Sequence, residues 1–163
     1  MKKKLLILCL FFCQFSLGQN LVPNPSFEDT LQCPNGGGEI DYAIGWSSYG
    51  HTPDYFNSCD TGFENIPSNY AGFQYAHFGN GYAGLICYYT PVSNLREYIG
   101  IQLSQPLNVG QTYFASFYVS MAFKHSVRFG IAINNIGLKL STVSFTSSNT
   151  VPINNILQSF LIQ

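Results

Sequence analysis

The chain has 163 residues, of which 9% are charged, 46% hydrophobic and 16% aromatic. Few charges with many rings exclude a disordered chain, which needs high net charge and little core-forming side chain. Seven basic against eight acidic residues supply no field for a polyanion, so nucleic acid is excluded as a partner.

Lys2, Lys3 and Lys4 precede an apolar run over residues 5–17, with Ser16 and Gly18 at the small-residue positions of a cleavage site. This predicts a signal peptide over 1–18 and an exported chain, destined for the periplasm, the outer-membrane surface or the medium. The run is shorter than the roughly 20 residues of a membrane-spanning helix, so no transmembrane span is expected in the mature chain. Leu8 and Phe12 stand before Cys9 and Cys13, where a lipidation signal needs a small residue, so no lipid anchor is expected. Without the leader, four basic residues face eight acidic ones, a net charge of −4. All eight acids lie between Glu28 and Glu97 and the four bases from Arg96 onward, which leaves no basic surface for anionic lipid.

Three cysteines remain in an oxidising compartment, Cys33, Cys59 and Cys87, enough for one pair and one thiol. Cys33 and Cys59 lie in loop-like sequence rich in Asn, Pro and Gly and are the expected disulfide. Cys87 shares an alternating phase with Ala83, Leu85 and Tyr89, so it is expected to point into the core.

Period-two alternation bounded by Gly, Pro and Asn recurs, and helical periodicity is nearly absent, which predicts an all-β domain. Residues 33–74 read as ordered loops with short strands around Trp46 and Tyr55, the kind of segment in which a rigid scaffold places recognition. Ile99, Ile101 and Leu103 alternate. After a turn around Asn108, Val109 and Gly110 they should form a hairpin with the clearest strand, residues 112–122. There Tyr113, Ala115, Phe117, Val119 and Met121 share one apolar face, while Phe114 and Tyr118 join Thr112, Ser116 and Ser120 on the other. Over 130–140 the apolar phase flips at Asn134 and Asn135, which reads as a β-bulge or a tight turn. Residues 143–163 read as an irregular or truncated ending.

No catalytic constellation emerges. There is no nucleophile elbow, no histidine pair at metal-ligating spacing and no phosphate loop, and His51, His77 and His125 stand apart. Eight acids leave glycoside hydrolysis formally open, but spacing brings no two of them together, so a non-enzymatic role is expected.

The loop-rich half instead carries many rings: Tyr42, Trp46, Tyr49, Tyr55, Phe56, Tyr70, Phe73, Tyr75 and Phe78, interleaved with Asp54, Asn57, Asn69, Gln74 and Asn80. A sugar offers an apolar C–H face and a rim of hydroxyls, which suit a ring platform flanked by amides and carboxylates. Trp46, Tyr49, Asp54, Tyr55, Asn57 and Tyr75 are the candidate ligand-binding residues. The competing reading is that most of these rings fill the core beneath the loops.

The stretch Asn-Leu-Val-Pro-Asn-Pro-Ser-Phe-Glu over 20–28 resembles the opening strand of jelly-roll, galactose-binding-like carbohydrate-binding modules. With Gly45-Trp46, the 52–57 stretch, Gly72-Phe73-Gln74, the 79–84 stretch, Gly110-Gln111-Thr112-Tyr113 and the 116–122 stretch, it resembles an N-terminal domain of exported cell-envelope proteins of gliding, type IX-secreting bacteria. In those proteins the domain often precedes an OmpA-like or sorting domain. The resemblance covers about 20–142.

It implies a two-sheet jelly-roll sandwich, a polysaccharide or envelope-protein partner, and a structural calcium near Glu28 and the position of Asn134. Asn134 stands where the family has an aspartate, which removes a charge that calcium prefers. The family also continues past 142 with further strands, so the chain is expected to be a fragment of a larger protein or to close its sandwich poorly. Two functions follow as expectations: glycan or surface-partner recognition, and a purely structural or adhesive envelope domain without a small ligand.

Overall fold

The computed structural model describes residues 18–88, 95–123, 133, 134, 136–142 and 158–162. Residues 1–17 of the expected leader fall outside them. Short strands dominate, as the alternation predicts: β1 (Trp46–Gly50), β2 (Asp54–Asn57), β3 (Ser68–Asn69), β4 (Gly72–Phe73), β5 (Gly81–Gly84), β6 (Tyr98–Ile101), β7 (Ile136–Leu140) and β8 (Gln158–Ile162). The helical content among the described residues is one 3-10 turn, Ile40–Tyr42. No described helix is long and apolar enough to cross a membrane.

One sheet has the order β1-β6-β8-β7, and β2 with β5 and β3 with β4 form two separate antiparallel pairs. β1 and β2 belong to different sheets, so the chain turns a corner between Gly50 and Asp54, where His51 takes a left-handed φ of 60° and Pro53 is buried. β1 and β6 run antiparallel, but β8 pairs parallel with both β6 and β7. The expected all-β class therefore holds, while those parallel pairs differ from the antiparallel ladders a jelly roll uses.

The core lies where β1, β6, β2 and the 3-10 turn meet. Ile40, Ala43, Trp46, Tyr55, Ile99 and Ile101 are buried together, with Val22, Phe27, Tyr42, Ala83 and Leu85 packed around them. All four residues of β6 are buried, as befits a central strand covered on both faces. Burying Ile99 and Ile101 contributes about 2 kcal/mol each. Gly45 sits at φ 87° with the Ile101 side chain where a Cβ would stand, so the chain enters β1 through a position suited to glycine. The expected disulfide is present, joining Cys33 to Cys59.

Three expectations need correction. Residues 112–122 form no strand and are exposed throughout. The turn is there, with the Gln111 N–H donating to the Asn108 carbonyl at 3.2 Å and Gly110 at φ 81°, but β6 already has β1 on one edge and β8 on the other. No edge is left for the hairpin return. Cys87 follows β5 rather than extending it, and it is half-buried with its Sγ 3.8 Å from the Leu85 carbonyl. Residues 143–163, expected to be irregular, contain β8. The phase change at Asn134 and Asn135 falls across residue 135, outside the described residues.

Candidate functional site

Alternate residues of a strand share a face, and on β2 this joins Tyr55 to Asn57. The Asn57 Nδ2 donates to the Tyr55 hydroxyl at 2.7 Å, the hydroxyl donates to the Phe27 carbonyl at 2.7 Å, and Thr30 Oγ1 lies 2.6 Å away. The Asn57 Oδ1 accepts the Cys59 N–H at 3.0 Å, so the network ends at the disulfide. Trp46 stacks on Phe27 at 4.6 Å, and its Nε1 donates to the Asn24 carbonyl. Trp46, Tyr55 and Asn57 are therefore buried structural residues, which corrects the platform expected of them. Burial is what their polar tips permit, since each finds a partner inside.

Asp54 is buried as well. The Tyr70 hydroxyl and the Gly38 N–H donate to it, the latter at 2.7 Å. Burial pushes its carboxyl above the usual value, partly offset by those two bonds. Glu97 is its counterpart: Oε1 accepts the N–H and hydroxyl of Thr52 at 3.2 and 3.3 Å, and Oε2 accepts the Ile86 N–H at 2.7 Å. Its carboxyl is likewise raised, with burial the main cause. Both carboxylates clip loops together with their acceptor sites occupied by this chain's own donors.

An open cleft of about 460 Å³ lies beside the disulfide, and Glu28, Thr30, Gln32, Asn57, Ser58 and Asn80 line it. Its carboxylate is already engaged: Glu28 Oε1 accepts the N–H groups of Asn80 and Gly81 at 2.6 and 3.0 Å, and Asn80 Nδ2 reaches Oε2 at 3.4 Å. Gly79, at φ 70°, leaves room for that carboxyl where a Cβ would collide with it. No group of three or more His, Cys, Asp or Glu side chains able to hold a metal occurs among the described residues. Asn134, the other residue expected near calcium, is exposed.

The exposed rings gather elsewhere. Phe73 and Tyr75 are 63% and 65% exposed and pack edge to face at 5.4 Å. Across from them the 111–123 segment runs the opposite way: Phe123 lies against Gly72, Ser120 Oγ donates to Gln74 Oε1 at 2.6 Å, and Tyr118 stacks on His77 at 3.5 Å. Tyr118 is 72% exposed, so exposed rings stand on two segments that the Ser120–Gln74 bond ties together, and this group is the ledge. Of the residues expected from sequence, Tyr75 belongs to this ledge; Tyr49 is half-buried on β1. Sequence reasoning missed Phe73 and Tyr118 as partners of Tyr75. Two rings on the wet face of 112–122 were the available signal.

The chain matches no protein-family model, no curated protein and no solved structure.

Proposed function

We propose that the protein is an exported, non-catalytic β module that recognises glycan, or another cell-surface partner, through the ledge of Phe73, Tyr75 and Tyr118. The observation that carries this reading is the exposure of Tyr75 beside Phe73, with Gln74 and Ser120 bonded between the two segments. Solvated rings present the flat apolar surface on which a sugar C–H face stacks, and the neighbouring amide and hydroxyl suit its hydroxyl rim. The sequence likeness to jelly-roll carbohydrate-binding modules supports the same class.

Retention on a set of insoluble polysaccharides tests it. Retention that disappears in Tyr75→Ala, with the melting temperature unchanged, supports the ledge; retention untouched by both Tyr75→Ala and Phe73→Ala overturns it. The alternative is a structural or adhesive envelope domain, favoured by the apolar side chains that residues 113–123 expose. That alternative expects no retention on any polysaccharide.

A further inference from the structure

We infer that residues 112–122 form a self-pairing strand, through which two copies of this chain associate antiparallel about a two-fold axis. The inference is separate from glycan recognition and survives its failure.

Residues 112–122 belong to no strand ladder, although their alternation is the most regular in the chain. Edges of this kind are normally guarded by Lys, Pro or a bulge. Here residues 111–123 contain no charged residue and no proline. Phe114 is 92% exposed, and Val119, Met121 and Phe123 are also exposed.

The segment is complementary to itself. With the two-fold on Phe117, Phe114 of one copy faces Ser120 of the second copy, and Ser116 faces Tyr118. On the other face Tyr113 opposes Met121 and Ala115 opposes Val119. Every pair away from the axis sets a larger side chain against a smaller one or a ring against a thioether, the pairings that fill a cross-strand surface. A register shifted by one residue would mix the apolar and wet faces, so the sequence selects against it. An uncharged strand also meets its copy without like-charge repulsion.

The test uses the secreted chain carrying Cys87→Ser, so that Cys33 and Cys59 keep their disulfide. Phe117→Cys places two thiols across the axis, and Ala115→Cys places them apart. Mild oxidation should yield disulfide-linked dimer from the first and not the second, and sedimentation should show a concentration-dependent dimer. Val119→Lys, which sets a charge in the seam, should weaken that dimer about tenfold or more with the circular dichroism spectrum unchanged. A chain that stays monomeric at every concentration overturns the inference. So does equal crosslinking of both thiol variants, or growth into species of indefinite size, since a two-fold seam closes at two copies.

Discussion

The Tyr55 hydroxyl and the Asn57 amide, two positions apart on β2, are bonded to each other at 2.7 Å inside the protein. Each was expected at the surface, and each instead satisfies the other's need for a partner. The hydroxyl also binds the Phe27 carbonyl and lies within reach of Thr30, so it ties the 27–30 segment to β2. Tyr55→Phe removes the oxygen and leaves the Asn57 amide and the Phe27 carbonyl without it. A buried group left unsatisfied costs about 1–3 kcal/mol, so the variant should lose about 3 kcal/mol in urea unfolding with little change in shape. Stability equal to wild type would mean that water reaches this network.

Trp46 and Tyr75 should separate structure from recognition. Trp46→Ala removes a ring stacked on Phe27 in the core, and large-to-small core changes of this kind cost about 4 kcal/mol. Tyr75→Ala removes an exposed ring, for which the expected change in stability is within about 0.5 kcal/mol. Thermal unfolding of the two variants side by side checks this; comparable losses would show that the ledge is part of the core.

What the sequence revealed and what it concealed divide along a physical line. Alternation marked β6, and the loop-rich composition of 33–74 singled out Cys33 and Cys59 and left room for the short strands around Trp46 and Tyr55. The most regular alternation, over 112–122, forms no strand, so side-chain period alone does not decide strand formation. It could not tell that Trp46 and Tyr55 are buried while Phe73 and Tyr75 are exposed, because a ring in a loop has the same sequence signature in either place. Nor could it tell that β8 takes the second edge of β6, a pairing of residues 61 positions apart. That long-range choice is what denies residues 112–122 their expected hairpin.

The disulfide closes a long loop and forms one wall of the polar cleft. For a sequence separation of 26, the chain-entropy model gives about 3.5 kcal/mol of stabilisation. A Cys33→Ser, Cys59→Ser double variant should therefore melt about 10 °C lower than wild type. Wild type in a thiol reductant should move toward the same value, while the double variant should be indifferent to reductant. A double variant that melts with wild type would show that the fold does not depend on this staple.

Asp54 and Glu97 give the protein a pH dependence of defined sign. Burial raises both carboxyls above their ordinary values of 3.8 and 4.5, so between those values and the raised ones the folded chain holds more protons than the unfolded chain. Stability contributed by these groups then falls as pH rises through that window and is constant above it. Because Tyr70 and Gly38 donate to Asp54, its charge is partly compensated, and the raised value reflects burial prevailing over those bonds. Asp54→Asn keeps an acceptor oxygen and removes the titration. Melting temperature followed from neutral pH toward 3.8 should rise less in this variant than in wild type across the window. A steeper rise in Asp54→Asn would mean that the Tyr70 and Gly38 bonds outweigh burial and that the folded chain favours the charged form.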